Sequence, residues 1–335
     1  MATAYITENG AFLTKEGDKL LIKKGDKIIQ TILSHHLERL IICGNVTLTT
    51  QTVAFLLDKG IDTVFMSVYG KYRGRLMSRW GKNIELRKQQ FDKFSNLEYT
   101  LPLAKEFVRG KLENCNKLLR RRLVRRKNLT LQKCVMRIRG IQEQLQRAKT
   151  LDELRGYEGK AAVWYFQGLA QMIMRPEFAF TERNRRPPRD KTNALLSLCY
   201  TFLHNTVQSY VDASSLDPFY GVFHQMEYGR PSLGLDLMEE FRPVIVDTLV
   251  LNLINRSIIL VDDFIIQPEA ELPVRLSTFG MKKVIIHFEK RLRQKIYFPE
   301  YNQSLSYEQL IENQLFSLQR FLLEGKPYKA FTILK

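Results

Sequence analysis

Along the first eighty residues the apolar positions come in short clusters punctuated by glycine, which is the pattern of strands and turns. Tyr5 and Ile6 lead into Asn9-Gly10, with Phe12 and Leu13 behind it, so a hairpin is expected there. Further apolar runs at 20–22, 28–32 and 40–43 are set off by Gly17-Asp18 and Gly25-Asp26. One helix interrupts them at about 49–59. It has threonines at its start, Val53, Leu56 and Leu57 on one face, and Gly60 as its stop. Residues 61–68 alternate imperfectly, like a buried strand. Gly70 and Gly74 then bracket a basic turn, and a last strand is expected at 76–78. Beyond residues 80–83 the period becomes helical and strand signals almost vanish. The pattern predicts an α+β chain with a small β-rich N-terminal domain containing one helix at 1–79 and a linker at 80–84. A larger all-α C-terminal domain is expected at 85–335.

Within the helical part, Thr150-Leu-Asp-Glu153 has the capping-box spacing and opens a helix that runs through Glu158. Glu158 lies between Gly156 and Gly159, each of which costs a helix about 1 kcal/mol relative to alanine. Such a pair makes sense where something bulky must approach the glutamate closely. A basic loop, RNRRPPRDK, follows at 183–191, stiffened by Pro187-Pro188, and then a long apolar helix at 193–211. Pro243 falls inside a later helix and should kink or divide it. Ser306 and Gln309 form a second capping signature, for a helix ending at Gly325.

Composition sharpens this picture mainly through charge. Apolar residues make up 44% of the chain, ample for a core, while 52 Lys+Arg against 35 Asp+Glu give a formal charge of +17. That excess favours polyanionic partners, nucleic acid first. It is also concentrated: residues 109–149 hold fourteen Lys/Arg against Glu113 and Glu143 alone. Mixed surface charge fits that ratio poorly, so Arg120, Arg121, Arg122, Arg125 and Arg126 are candidate DNA contacts, as are Arg183, Arg185, Arg186 and Arg189 of the basic loop. No uncharged apolar run reaches the roughly 18 residues needed to cross a bilayer. Cys43, Cys115, Cys134 and Cys199 are scattered with no CxxC spacing, as expected of reduced thiols in a cytoplasmic protein without membrane partners.

The chemistry is expected in HQMEYGRPSLGLDLMEEFRPVIVD, residues 224–247. Asp236, Glu239 and Glu240 stand at i, i+3 and i+4 of an apolar run, neighbours on one helix face. Like charges so placed need a cation, a proton or an arginine. Carboxylates with one imidazole, His224, suit a divalent ion such as Mg²⁺ or Mn²⁺ and phosphoryl-transfer chemistry. The plainer alternative is a solvated or arginine-paired helix face, with His224 a satisfied core histidine. His35, His36, His204 and His287 lack ligand-like company and read as structural.

On GRLMSRWGKNIELRKQQF, GYEGKAAVWYF, RNRRPPRDKTNALLS and DPFYGVFHQMEYGRPSLGLDLMEEFRPVIVD, the chain resembles the CRISPR-associated protein one family, the integrase subunit of CRISPR spacer acquisition. The resemblance covers nearly the whole length. It implies metal ligands at Glu158, His224 and Glu239, with Asp236 as an additional catalytic acid. Some members carry aspartate at the position of Glu239. It also implies a homodimer formed largely through the β domains, with two dimers held by a small ferredoxin-like companion, the CRISPR-associated protein two, in a heterohexamer. The implied reaction joins the 3′-hydroxyl of captured DNA to a repeat by transesterification with Mg²⁺ or Mn²⁺, on double-stranded and branched DNA. A general metal-dependent DNase acting on branched or single-stranded DNA, and a non-catalytic nucleic-acid-binding module, are the alternatives.

Overall fold

The computed structural model describes residues 2–68, 70–77, 81, 83–125, 128–224, 227–298 and 302–333. They fall into two compact units, Met1–Trp80 with Arg275–Lys282, and Gly81–Val274 with Lys283–Lys335. The return of 275–282 to the first unit has no counterpart in the sequence reading. Ser78, Trp80 and Lys82, on which part of the expected last strand and linker fall, lie outside the described residues.

The first unit carries two four-stranded sheets and a helix. β2 (Ala11–Glu16), β3 (Lys19–Lys24) and β4 (Lys27–Leu33) form an antiparallel meander. Gly17 and Gly25 make its turns at φ of 56° and 58°, a region glycine enters without steric cost. β6 (Val46–Leu48) adds to β2 in parallel. The second sheet has the order β1 (Ala2–Ile6), β5 (Leu37–Cys43), β7 (Asp62–Met66), β8 (Tyr72–Leu76). β5 is buried at six of its seven positions because it is a central strand. The helix α1 (Thr50–Asp58) crosses between β6 and β7, capped by the Thr49 side chain, with Gly60 at φ 65° just beyond it. Ile6, Leu13, Leu20, Ile22, Leu40, Ile42 and Leu56 form the shared core.

Two local expectations are corrected here. Asn9-Gly10 is a turn but closes no hairpin: β1 pairs with β5, and β2 with β3. The turn is tied elsewhere, with Asn9 Oδ1 accepting from the Asn45 amide and the Gly10 amide donating to the Asn45 carbonyl. The basic stretch read as a turn between Gly70 and Gly74 is itself the body of β8, antiparallel to β7.

The second unit is built on helices: α2 (Ile84–Phe94), α3 (Leu97–Arg125), α4 (Leu129–Gln144), α5 (Leu151–Ala170) and α6 (Lys191–Ala213). After a long loop come α7 (Ser232–Met238) and α8 (Thr248–Asn255). Pro243 has no amide hydrogen to donate, and between these two helices the chain opens into a π-helical turn at Arg242–Asp247. α9 (Thr278–Leu292), whose residues from Lys283 on belong to this unit, and α10 (Tyr307–Glu324) follow, the latter opened by the expected capping box at Ser306 and Gln309. The C-terminal region is largely helical but not wholly so. Short strands occur at β9 (Phe264–Ile266) and β10 (Val274–Leu276), and β11 (Lys295–Phe298) pairs with β12 (Gln303–Ser306). Helix periodicity gives no hint of strands this short.

α3, α4 and α5 pack on one another, and α6 is buried nearly all round. On α3 the buried stripe is Leu103, Ala104, Phe107, Val108, Lys111, Leu112, Cys115 and Leu119, at helical spacing. One position of that apolar stripe is a lysine. All four cysteines are free and buried, and among the described residues no helix is long and apolar enough to cross a membrane.

Candidate carboxylate and imidazole site

Lys111 lies where three separated parts of the chain meet. α5 presents Glu158, whose Oε1 accepts from Lys111 Nζ. The end of α7 presents Glu239, with Oε2 2.6 Å from the same ammonium. The loop between α6 and α7 presents His224, whose Nε2 is 3.7 Å from Glu239 Oε1. Glu158 is 20% exposed and Glu239 only 2%, so the cluster opens to solvent on the Glu158 side. Although Lys111 is close, Glu239 Oε2 is a buried oxygen with no hydrogen bond of acceptable geometry. Among the described residues, no group of three or more His, Cys, Asp or Glu side chains stands arranged to hold a metal; an ammonium occupies the space between the two glutamates.

Asp236 sits behind the imidazole. Its Oδ2 accepts from the amides of Val222 (2.6 Å) and Phe223 (3.0 Å), and its Oδ1 from the His224 amide (2.9 Å) and ring Nδ1 (2.6 Å). A carboxylate accepting on both oxygens leaves Nδ1 to be the protonated nitrogen, and Nε2 the one with a free lone pair toward Glu239. Gly221 makes this possible, since a β-carbon there would lie 2.6 Å from Asp236 Oδ2 and 2.8 Å from the Ser232 backbone. From α5, Arg155 Nε donates to the Phe223 carbonyl and ties the histidine loop to the helix that carries Glu158.

Glu239 is held on its other side by Arg242, which also stacks 4.4 Å from the centre of the Tyr200 ring. Burial works against the Glu239 charge, but Arg242 and Lys111 outweigh it and bring its pKa down to about 2. Burial likewise opposes the charge on Lys111, and Glu158 and Glu239 more than offset it. Behind Arg242, Asp247 accepts hydrogen bonds from Tyr165 and Tyr200, joining α5 and α6 to the π-helical turn.

Burial raises the Asp247 pKa to about 6 despite those hydroxyls. Its ordinary value lies near 4, so between about pH 4 and 6 the folded chain holds a proton that the unfolded chain has lost, and stability declines as pH rises. We expect Asp247→Asn to flatten that decline by about 2 kcal/mol, read as the difference in urea-unfolding free energy between pH 4 and pH 7.

The expected single face of acids splits in two. Glu240 points away from Asp236 and Glu239, into a buried cluster where it accepts from the Phe331 amide, Gln314 Nε2 (3.0 Å) and the Tyr328 hydroxyl. The helix ends at Met238, so the i, i+4 spacing that would stack Glu240 over Asp236 does not carry past it. Lys111 is the residue that sequence reasoning passed over, counted there only as part of the basic window. Its signal was legible as a cation on the apolar stripe of α3.

Of the candidate DNA contacts, Arg120 and Arg121 are exposed on α3 and Arg122 is half-buried. Arg125 closes the helix, and Arg126 lies outside the described residues. Arg185, Arg186 and Arg189 are exposed on the basic loop. Arg183 is the exception. It turns inward to donate to the Asn184 carbonyl, Asn193 Oδ1 and Ser197 Oγ, and burial lowers its pKa to about 10. It anchors the loop on α6. A groove lined by Lys133, Arg137, Lys160 and Trp164 adds to the cationic surface, with Lys133 and Arg137 both over the indole. Gly156 and Gly159, either side of Glu158, face open space.

The family model for CRISPR associated protein Cas1 matches residues 4–290. The CRISPR-associated endonuclease Cas1 3 of Thermus thermophilus is 34% identical over 336 residues, covering 99% of this chain and 98% of its own. Among solved structures, a casposase bound to integration product superposes with a TM-score of 0.85 at 22% identity, covering 99% of this chain and 93% of its own. A chain of a Cas6-RT-Cas1–Cas2 complex does so with a TM-score of 0.86 at 24% identity, over 100% of this chain and 36% of its own. A β-rich start, a helical body and near-complete coverage by relative and family model lead to one assignment: the chain belongs to the CRISPR-associated protein Cas1 family.

Proposed function

We propose that this chain is a metal-dependent DNA integrase and endonuclease of CRISPR spacer acquisition, joining the 3′-hydroxyl of captured DNA to a CRISPR repeat by transesterification. The observation that supports the reading is the meeting of Glu158 and Glu239 on the Lys111 ammonium, with His224 Nε2 3.7 Å from Glu239 Oε1, in a Cas1 chain. The endonuclease name of the Thermus thermophilus relative and the integration product held by the casposase point the same way.

Glu158, Glu239 and His224 Nε2 would hold the divalent ion. The donor set of two carboxylates and one imidazole suits Mg²⁺ or Mn²⁺, and the buried Glu239 Oε2, which faces the Lys111 ammonium at 2.6 Å, would be one of the ligand atoms. When bound, the ion supplies Lewis-acid stabilisation of the charge that develops on the scissile phosphate. Asp236 is then a positioning residue that keeps the His224 ring in one tautomer and orientation. Arg242 fixes the Glu239 carboxylate from behind. The attacking 3′-oxygen forms a new bond to phosphorus while the repeat's own 3′-oxygen leaves and takes up a proton. One phosphodiester replaces another, and no energy currency is consumed. Gly156 and Gly159 leave room for a DNA backbone beside Glu158. The cations of α3 and the 183–191 loop neutralise its phosphates.

A homodimer has an apolar surface available on the edge strand β4, where Ile28, Ile29 and Leu33 are exposed. The Cas1–Cas2 complex among the structural neighbours supports the small companion as partner.

The test is a half-site joining assay, with a 3′-hydroxyl donor and a repeat-bearing plasmid, with and without the companion protein. Joined product in Mg²⁺ or Mn²⁺, abolished by EDTA, is expected. Cleavage with no joined product would favour a general DNase, and processing unaffected by EDTA would end the metal reading. Donor affinity should fall steeply with salt, by about 10³-fold between 50 and 200 mM if some six phosphates are contacted.

A further inference from the structure

Lys111 does something that neither a phosphate contact nor an ordinary surface ion pair requires. It stands on the buried stripe of α3, with a side chain 11% exposed, and its ammonium bridges carboxylates that come from α5 and from the end of α7. Two carboxylates, Glu158 and Glu239, meet Lys111 and Arg242 here. The two cations are not equivalent. Arg242 is clamped to Glu239 Oε1 and stacked on Tyr200, while Lys111 takes Oε2. Lys111 lies between the two glutamates, and without it their charges would face each other across a partly desolvated gap. A lysine also suits a movable part, because its compact charge rides on a flexible four-carbon stem whereas a guanidinium fork is held by its geometry.

We propose that Lys111 is a placeholder cation. In the metal-free protein its ammonium occupies the position between Glu158 and Glu239 that a divalent ion takes, keeping both carboxylates aimed at one point, and metal loading drives it out toward the open Glu158 side. This rests on the metal reading above and adds a competition to it. Ammonium and metal ion cannot share one position between the same two oxygens, since like charges a few ångström apart in a site of low dielectric repel strongly. The site is thereby preassembled at a cost in metal affinity. Lys111 is a positioning residue in this scheme and takes no part in bond making.

The experiment uses full-length protein and Mn²⁺ alone, without DNA. Calorimetry should show Lys111→Met binding Mn²⁺ about tenfold or more tightly than the wild type, because the internal competitor is gone. Its melting temperature in EDTA should be lower than wild type, and Mn²⁺ should restore more of it than in wild type. A variant that binds Mn²⁺ no more tightly than wild type overturns the placeholder role, while a wild type that binds no Mn²⁺ overturns the metal reading itself. Should Lys111→Met fail to fold, the wild type still decides the matter. Acetylation of Lys111 by an amine reagent, followed by mass spectrometry, should rise several-fold on adding Mn²⁺; unchanged or diminished labelling contradicts the displacement.

Discussion

Replacing Glu158 with glutamine should reduce strand joining by about a thousandfold or more while leaving the fold and DNA affinity close to wild type. The side chain is partly exposed and pairs with Lys111, so its amide isostere removes a charge without opening a cavity. The lost function would be that of a metal ligand. Glu239 is a poorer probe of the same point. It is buried between Lys111 and Arg242, and neutralising it strands the Arg242 guanidinium and leaves Lys111 with Glu158 alone, a loss of about 3 kcal/mol that would mix instability with inactivity. Joining rates and melting curves measured on the same Glu158→Gln preparation separate the two effects. Near-normal joining would remove Glu158 from the chemistry.

The largest effect on stability is expected at Glu240. This carboxyl joins the end of α7 to the C-terminal segment, taking the Phe331 amide, Gln314 and the Tyr328 hydroxyl, while Asn114 of α3 ties the Glu240 and Phe331 carbonyls and the Ile333 amide. Burial raises its pKa to about 8, so near neutrality it is mostly protonated. Glu240→Ala leaves the buried Phe331 amide and Tyr328 hydroxyl without this acceptor, Gln314 keeping the Lys329 carbonyl, and should cost about 3–5 kcal/mol. Glu240→Gln should cost about 1 kcal/mol, because its amide oxygen accepts where Oε2 did and its amide nitrogen faces the Tyr328 hydroxyl. Urea unfolding of the pair at pH 7 checks this. Equal losses from both variants would mean that the carboxyl is needed charged.

What could be read in the sequence was whatever a few consecutive residues decide. Thr49 and Gly60 bound α1, Thr150 and Ser306 cap α5 and α10, and Pro243 divides the helix that carries the acids, each through local backbone chemistry. The misreadings arose where distant pairing decides. Asn9-Gly10 has the composition of a hairpin, but its strands find better partners in β5 and β3, and Asn45 takes up its polar groups. The basic YRGRL stretch is a strand because β7 offers it an edge.

The site follows the same rule. Spacing could place Asp236, Glu239 and Glu240 near one another, yet only the packed chain shows three different tasks. Asp236 holds a histidine, Glu239 faces Lys111, and Glu240 anchors the C-terminal segment. Arg183 counted as basic surface until Asn193 and Ser197 of α6 gave it partners inside. Charge counting treats Lys111 and Arg120 alike. Their positions on α3, one on the buried stripe and one off it, make them different.

Glu158, His224 and Glu239 are proposed to bind one ion together. The most direct measurement is the anomalous difference density of crystals grown with Mn²⁺. A single peak within about 2.2 Å of an oxygen of each glutamate and of His224 Nε2, with the Lys111 ammonium moved aside, is the predicted result. A peak bound elsewhere, or none while Lys111 still bridges the two carboxylates, would contradict it.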